Sequence, residues 1–474
     1  MKKAFLRSIQ AVSATIVATL ALTPTHANAQ LTLIAKGTLT SSRVGSYKDL
    51  SGLNYTLENG VPANLLGGIG SGITYVTGNT FLAVPDRGPN AIPYNSAIDD
   101  TSSYIPRFQT IEMKLEPNSD PSSSLPFSLT PQLKATTLLR SFFPLVYGDG
   151  KAFNVPNGAP KLNGFFRFFF SGRSDNFDPK HDSGDPFDAR FDPESIRVSN
   201  DGLTVFISDE YGPYIHQFLR LTGERIRSYR LPDELFVDIP GTTTTVETNN
   251  NSRGRTPNKG MEGLAITPDG RTLVGIMQNA LLQDNAAAPK LLRIFTVDVI
   301  SGVTKHEYAY LLTTGTGVSE ITALNDHEFI VDERDGKGLG DNSTAKVKQL
   351  FKIDLQGATD VKGLDGPAAS TVAVTKTPFL DIVSKLIAAN VGFDATNIPA
   401  KIEGVTFGPD VELNGKKLHT LWIANDNDFQ QDNNGPTIFS PGINPNQFFV
   451  FGFTDTDLGG SQLVPQKHPF FFDF

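Results

Sequence analysis

The sequence contains no cysteine among its 474 residues, which excludes disulfide bonds, thiolate zinc sites and cysteine nucleophiles. Histidine is scarce, with seven in all. None of those beyond residue 30 is paired with another at metal-ligand spacing, so we expect no histidine zinc centre. Charged residues make up only 19%, and the formal net charge is −9. The basic field of a nucleic-acid-binding protein is therefore missing, and we expect no nucleic-acid partner.

Several catalytic motifs are also missing. There is no G-x-S-x-G nucleophile elbow, no H-E-x-x-H motif and no Walker loop. The segment Gly317–Ile321 comes nearest to the elbow and fails at its last position. Beyond residue 30, no stretch approaches the roughly 20 apolar residues that cross a bilayer. We therefore expect no transmembrane segment in the mature chain.

The first 29 residues have the layout of a secretory signal peptide. Lys2, Lys3 and Arg7 form a positive start, an apolar stretch runs from Ala11 to Leu22, and Ala27–Ala29 supplies small residues for cleavage. A membrane anchor is the alternative, but the apolar stretch is short and interrupted by polar residues. We therefore expect cleavage after residue 29 and export to the periplasm or beyond.

A repeated unit organises the rest of the chain. Each copy has a polar residue beside a small one, a short apolar strand, a turn, and a second apolar strand that ends in acidic or amide residues. The copies begin near residues 71, 194, 262, 320 and 403. Asp-Gly and Asn-Asp turns mark hairpins, and a second alternating pair of strands follows most of them. Two hairpins make a four-stranded antiparallel sheet, which is the blade of a β-propeller.

The spacing predicts an all-β propeller of six blades with long inserted loops, and five or seven blades are the alternatives. The first gap between copies is nearly twice the others and leaves room for a further blade around 110–115 and 165–170, the latter read as a buried strand. Residues 31–36 are expected to pair with 447–453, which closes the ring and removes its edges. A helix is expected over 379–389. We interpret residues 30–474 as a single domain and a monomer.

Seven short blocks occur in a specific order between about Gly68 and Asp426. They are Gly70–Ile73, Pro85–Asn90, Phe191–Ile196, Ser208–Pro213, Asn258–Ala265, Asp332–Asp335 and Lys401–Val405. Together they resemble the phytase-like domain family, described as "esterase-like activity of phytase". The resemblance implies an exported bacterial propeller with phosphoesterase or esterase activity, and it supports the fold more than the chemistry.

In a propeller, equivalent positions of successive blades form a ring around the axis. The aligned copies place Glu194, Glu262, Glu320 and Glu403 near one channel mouth, while the first copy has Ser71 there. Carboxylates this close repel one another and need a counter-charge. Ca²⁺ accepts several carboxylate oxygens, so we predict a calcium site. Its candidate ligands are Glu194, Glu262, Glu320, Glu403 and Asp426.

Basic residues recur beside these acids and suit an anionic substrate, because arginine binds phosphate oxygens bidentately. The candidate substrate-binding residues are Arg87, Arg190, Lys259, Arg334 and Lys401. A metal ion would polarise the phosphoryl oxygen and activate a water, with a carboxylate as base. The candidate catalytic residues are Glu194, Glu262, Asp209, Glu210 and Asp86. The alternative is structural, with acids bonded to backbone amides and Arg–Glu pairs joining adjacent blades.

Two loops rich in acidic and amide residues are further calcium candidates, although neither has EF-hand spacing and solvated turns are the alternative. The first loop carries Asp175, Asp178, Asp182, Asp185, Asp188 and Asp192. The second carries Asp426, Asp428, Asp432, Asn433 and Asn434. His181 lies in the first loop, either as a proton shuttle or as an exposed histidine without a role.

These observations favour an exported, metal-assisted hydrolase of phosphoric monoesters, whose partner is a small anionic ester substrate. A calcium-dependent lactonase or carboxylester hydrolase of propeller type is the second hypothesis, by analogy of fold. The third hypothesis is a non-catalytic binding module of the cell envelope, in which the propeller mouth presents loops to a partner.

Overall fold

The computed structural model describes residues 31–40, 47–89, 94–148, 158–430 and 444–466. Within these ranges the strands form five sheets, and the innermost strands of neighbouring sheets contact one another in a closed ring. The fold is therefore a β-propeller with five blades. The predicted signal peptide lies outside the described residues.

The first strand of the chain is β1 (Thr32–Leu39), and it belongs to the last blade. The first blade contains β2 (Gly72–Thr77), β3 (Thr80–Val84), β4 (Arg107–Pro117) and β5 (Phe127–Leu138). The second blade contains six strands, in the spatial order β7-β6-β11-β10-β9-β8 from its outer edge to the axis. They are β6 (Arg140–Ser141), β7 (Phe168–Phe169), β8 (Pro193–Val198), β9 (Thr204–Asp209), β10 (Tyr214–Leu219) and β11 (Glu224–Arg230).

The remaining blades have four strands each. The third contains β12 (Met261–Ile266), β13 (Thr272–Met277), β14 (Leu291–Asp298) and β15 (Thr304–Leu311). The fourth contains β16 (Gly317–Ala323), β17 (Glu328–Arg334), β18 (Lys348–Asp354) and β19 (Lys376–Asp381). The fifth contains β20 (Lys401–Leu413), β21 (Lys416–Asp426) and β22 (Asn446–Phe453), with β1 at its outer edge.

Short helices lie in the connections. They are α1 (Thr244–Asn250), α2 (Leu282–Asn285), α3 (Gly366–Ser370) and α4 (Ile382–Ala388), with 3-10 turns at Asp233–Leu235 and Asp455–Leu458. The predicted helix corresponds to α4, which begins later than expected because Phe379 still belongs to β19. The Asp381 side chain accepts from the backbone N–H of Ser384 and caps the helix. In the described part of the chain, no helix is long and apolar enough to span a bilayer.

The structure has five blades, the lower alternative, rather than the six that the spacing favoured. Residues 110–115 lie in β4, the third strand of the first blade. In the run Phe165–Phe170, two residues form β7 at the outer edge of the second blade. The run is also only partly buried, because Phe165 and Phe166 are 86% and 50% exposed. The long first gap therefore holds an extended β4–β5 hairpin and a long loop.

The ring closes as predicted, because β1 pairs antiparallel with β22 from Thr32 opposite Gly452 to Leu39 opposite Asn446. Apolar side chains between neighbouring blades hold the ring together. Between the fifth and first blades, the single tryptophan, Trp422, packs on Phe81 with ring centroids 4.5 Å apart. Burial of aromatic rings of this size is a major contribution to the stability of such an interface.

Candidate functional site

β-bulges place three glutamates at one mouth of the channel. The register of β8, β12 and β20 with the neighbouring strand shifts across Glu194, Glu262 and Glu403, respectively. A bulge leaves a residue unpaired and reorients its side chain. These residues lie where the innermost strands begin and the second strands end. Burial raises the pKa of Glu194, and the carboxylates of Glu262 and Glu403 are close enough to raise it further.

The fourth predicted glutamate, Glu320, lies inside the channel instead. In β16 the register shift falls across Ser319, so Ser319 has the bulge position and Glu320 is one residue further along. The Glu320 carboxylate lies 2.9 Å from the guanidinium of Arg197 and accepts from Ser195 Oγ at 2.9 Å. In the fourth copy, the position equivalent to Glu194 is therefore held by Ser319, one residue before the predicted Glu320. Glu320 is engaged in a buried ion pair rather than facing the mouth.

At the level of Glu320, the innermost strands of neighbouring blades approach one another closely. A Cβ atom on Gly72 would lie 2.7 Å from the Cα of Ser195, and one on Gly263 would lie 2.7 Å from the backbone nitrogen of Ile321. The inner strands approach this closely because the residue after the bulge is small in most blades. Glu320 is the exception and fills the axis.

The most compact acidic group at the mouth consists of Asp192, Glu194 and Glu210. Each offers a carboxylate oxygen within 4.8 Å of the others, and all three side chains are buried. Among the described residues, no group donates a hydrogen bond to the Glu194 carboxylate. Burial, together with Glu262, raises the pKa values of Glu194 and Glu210 well above the ordinary range. The group therefore has hard oxygen ligands and too few cations beside its carboxylates to balance them when they are ionised. Both properties fit a divalent cation.

Arg87 borders this group from the first blade. Its Nη1 lies 2.7 Å from Asp192 Oδ2 and 3.9 Å from Glu210 Oε2. The same nitrogen donates to Asn258 Oδ1 at 2.6 Å. The Arg87 backbone N–H donates to the other oxygen of Asp192 at 2.9 Å. Arg87 therefore fixes Asp192 and partly balances its charge.

A second group contains Glu262, Glu403 and Arg334. The Arg334 guanidinium contacts Glu403 and lies 3.9 Å from Glu262 Oε1, which also accepts from Gln278 Nε2 at 2.7 Å. The other oxygen of Glu262 is buried and has no hydrogen-bond partner among the described residues. Burial and the Glu403 charge raise the pKa of Glu262 to about 8. A carboxyl group that changes protonation near neutral pH is suited to proton transfer.

Lys401 forms a third group with two acids, one at the end of β21 and one just after it. Its Nζ lies 2.7 Å from Asp426 Oδ2 and 2.6 Å from Asp428 Oδ1. Asp86 is buried nearby, and burial and the Asp426 charge raise its pKa well above the ordinary range. The predicted residues Asp86, Lys401 and Asp426 therefore interact with one another at the same mouth.

Three predicted residues have other surroundings. Asp209 accepts from the backbone N–H of Asp192 at 2.8 Å, and burial raises its pKa to about 7. It supports the backbone that presents Asp192. Arg190 lies behind Arg87, with Nη1 3.5 Å from Glu247 Oε2. Lys259 is exposed at the rim.

Sequence reasoning assigned no mouth role to Asp192, Asp428, Ser319 or Gln278. Asp192 and Asp428 were named only as members of Asp-rich loops. The first of these directly precedes Pro193-Glu194, and this adjacency favoured a position of that loop beside the site. A β-bulge has no comparable signature, so the positions of Ser319 and Gln278 were not predictable.

The first Asp-rich loop divides into separate interactions. His181 Nδ1 lies 2.7 Å from Asp185 and 3.7 Å from Asp178, and these three residues form an exposed or half-buried group. Asp175 pairs with Arg173, and Asp182 pairs with Arg230. In the second loop, Asp432, Asn433 and Asn434 lie outside the described residues.

The mouth carries an excess of negative charge. The buried or partly buried acids described above number eight, against three cations that pair with them. The acids are Asp86, Asp192, Glu194, Glu210, Glu262, Glu403, Asp426 and Asp428, and the cations are Arg87, Arg334 and Lys401. When these acids are ionised, an anionic substrate would be repelled from this surface unless a cation were bound there first.

A cavity lies at the opposite mouth of the channel. It has a volume of about 260 Å³ and is lined by Arg197, Thr322, Thr406 and residues 463–466, among others. None of the predicted site residues lines it. The paired Arg197 and Glu320 lie between this cavity and the acidic mouth. The carboxylate chemistry therefore belongs to one face of the propeller.

Comparisons with known proteins identify a family. Residues 64–429 match the model of the phytase-like family, described as esterase-like activity of phytase. The chain is 28% identical over 223 residues to an "Uncharacterized secreted protein" of Arthroderma benhamiae, covering 39% of this chain and 43% of the relative. The chain therefore matches less than half of that relative's length.

Solved structures with similar folds have low identity and low overall superposition scores. A luciferin-regenerating enzyme is 10% identical with a TM-score of 0.31, covering 91% of this chain and 98% of that chain. A putative 6-phosphogluconolactonase from Bacteroides uniformis is 12% identical with a TM-score of 0.30, covering 82% of this chain and 89% of that chain.

The fold and the acidic mouth define a five-bladed propeller with a carboxylate-rich site. The chain belongs to the phytase-like family, because the family model matches most of its length.

Proposed function

We propose that the chain is an exported, metal-assisted hydrolase of phosphoric monoesters. The observation that carries the proposal is the buried group of Asp192, Glu194 and Glu210, whose oxygens lie within 4.8 Å of one another. Arginine and lysine side chains border this group at the same mouth. Family membership and the secreted relative support hydrolysis and export, respectively.

A divalent cation, with Ca²⁺ favoured, is proposed to bind Asp192, Glu194 and Glu210. The donor set fits, because all three ligands are hard oxygens and the Glu194 carboxylate accepts no hydrogen bond from a described residue. When bound, such a cation would polarise a phosphoryl oxygen and lower the pKa of a coordinated water. Its charge also reduces the repulsion between the acidic mouth and an anionic ester.

The protein side chains have distinct proposed roles. Arg87 holds Asp192 in place, and Arg334 and Lys401 present positive charge to the phosphoryl group. Glu262 Oε2 is proposed to exchange a proton with the attacking water or the leaving group, because this buried oxygen has no described partner. Glu320 has no role in this chemistry, because its carboxylate is bound to Arg197 and Ser195.

Hydrolysis assays in chelator and in calcium test the proposal. We expect the purified protein to hydrolyse 4-nitrophenyl phosphate in Ca²⁺, to lose this activity in EDTA, and to regain it when Ca²⁺ is restored. Activity that persists in EDTA would rule out the metal mechanism. Absence of all hydrolysis, with binding of an envelope polymer, would favour the binding-module hypothesis.

Carboxylester hydrolysis is the second candidate, because the family description names an esterase-like activity. The same acidic mouth and cation would polarise a carbonyl oxygen in place of a phosphoryl oxygen. A parallel assay with 4-nitrophenyl acetate separates the two candidates. Calcium-dependent cleavage of the acetate alone would replace the phosphatase proposal with this one.

A further inference from the structure

An arginine-lined recess lies beside the acidic mouth, behind Arg87. Its volume is about 20 Å³, which leaves room for one oxygen atom of a ligand rather than for a whole molecule. Its lining includes Arg87, Arg190 and Arg255, together with Ser174 and Thr243. The recess therefore combines three guanidinium groups with the Thr243 hydroxyl, and both kinds of group donate hydrogen bonds to oxyanions, whereas the Ser174 hydroxyl already donates to the carbonyl of Thr242.

Arg190 is a buried cation that faces the rings of Phe177 and Tyr211, at 4.8 and 5.4 Å from the ring centroids, and has one donor without a partner among the described residues. The residue is 2% exposed, yet its Nη1 donates only at 3.4 Å, to the carbonyls of Ser174 and Gly241. The same nitrogen lies 3.5 Å from Glu247. Its Nη2 has no hydrogen-bond partner among the described residues. Buried polar groups are almost always paired, so a missing partner at this position indicates a ligand.

Arg87 connects the recess to the mouth. Its Nη1 faces Asp192 and Asn258, whereas its Nε is buried without a described partner. Two acids also line the recess. Glu247 pairs with Arg190 and Arg255, and Asp99 accepts from the Thr244 hydroxyl. Arg87 is already paired with Asp192, so the other two arginines balance the two acids of the recess, in contrast to the acidic surface next to it.

We propose that this recess binds a second oxyanion group of the substrate, a phosphoryl or carboxylate group, while the ester to be cleaved lies at the acidic mouth. The substrate is then an ester with at least two anionic groups. This inference rests on the proposed function for the identity of the ligand as substrate, but anion binding at the recess can be measured without any hydrolysis.

A binding experiment in EDTA isolates the recess from the metal site. Inorganic phosphate is titrated into the full chain at constant ionic strength, and binding is measured by calorimetry and by the rise in melting temperature. We expect saturable binding that weakens at least about tenfold in Arg190→Gln, because charge-assisted hydrogen bonds are lost. Arg253→Gln is the matched control, because Arg253 is an exposed arginine paired with Asp238. Acetate in place of phosphate distinguishes the two oxyanion classes.

Absence of phosphate binding by the unaltered chain, or equal binding by Arg190→Gln, would overturn the inference. If Arg190→Gln does not fold, Arg190→Lys provides a milder change, because it keeps the positive charge and removes the guanidinium donors, and unchanged affinity in that variant would count against the proposal. A catalytic readout is independent. Arg190→Gln is expected to raise KM about tenfold for fructose 1,6-bisphosphate, whereas Arg253→Gln is expected to leave it unchanged. Loss of hydrolysis with retained phosphate binding would contradict the proposed function and leave the recess in place.

Discussion

The guanidinium of Arg197 lies 2.9 Å from the carboxylate of Glu320 on the axis of the propeller. Arg197 also donates to carbonyls of the first and fourth blades, at Ile73 and Ile321, and Glu320 accepts from the backbone N–H of Leu264 in the third. One buried ion pair therefore joins the innermost strands around the ring. This role separates Glu320 from the glutamates at the mouth.

Loss of this pair is expected to destabilise the protein strongly. Glu320→Gln leaves the buried Arg197 charge without its partner, so we expect the free energy of unfolding to fall by roughly 3–5 kcal/mol. Urea unfolding followed by circular dichroism measures the change. Glu262→Gln is the comparison in EDTA, where we expect a small effect or a gain in stability. An equal decrease in the free energy of unfolding for both substitutions would contradict the structural role assigned to Glu320 on the axis and the different role assigned to Glu262 at the mouth.

Close approach of the inner strands gives a second stability prediction. In Gly263→Ala, the new Cβ would lie 2.7 Å from the backbone nitrogen of Ile321, so we expect a loss of about 1–3 kcal/mol. Gly336→Ala is the matched control, because no atom lies within 4 Å of the corresponding Cβ. Urea unfolding of both variants tests the expectation. An unaltered unfolding midpoint for Gly263→Ala would show that the strands can move apart freely.

The sequence was informative about the fold because turns and apolar strands recur with a regular pattern. Pairing of β1 with β22 was predictable, since both segments are apolar and lie at the two ends of the propeller. The blade number was less accessible, because the long hairpin of β4 and β5 and the short strands β6 and β7 imitate the length of a further blade. Alignment of Glu320 with Glu194 failed for a different reason. A bulge shifts the register by one residue and leaves no mark in the sequence.

Stability in EDTA is expected to fall as the pH rises from about 5.5 to 8. Burial and neighbouring carboxylates raise the pKa of Glu262 to about 8 and those of Glu194 and Glu210 well above their ordinary range. In this window the unfolded chain has released these protons and the folded chain retains them, so stability decreases with pH. Each unit of raised pKa corresponds to about 1.4 kcal/mol.

Melting temperatures measured across this pH range provide the test. Ca²⁺ is expected to reduce the decline, because a cation favours the ionised carboxylates. The double variant Glu194→Gln with Glu262→Gln is expected to flatten the profile in EDTA. A melting temperature that stays constant or rises from pH 5.5 to 8 in the unaltered chain would contradict the raised pKa values.

Calcium affinity should depend on the carboxylate group at the mouth. We expect Glu194→Gln to weaken Ca²⁺ binding by at least about tenfold, because one anionic ligand is replaced by a neutral amide. Isothermal titration calorimetry measures the affinity directly. Glu116→Gln is the matched control, since Glu116 is exposed on β4. A similar decrease in both variants would indicate nonspecific attraction to an acidic protein.

Crystallography with anomalous scattering tests the central claim most directly. Crystals of the full chain grown with Ca²⁺, or with Mn²⁺ in its place, are expected to show an anomalous peak in contact with Asp192, Glu194 and Glu210. The same crystals of Glu194→Gln should show a weaker peak or none. A fully occupied metal elsewhere in the molecule, with no peak among these three carboxylates, would contradict the account.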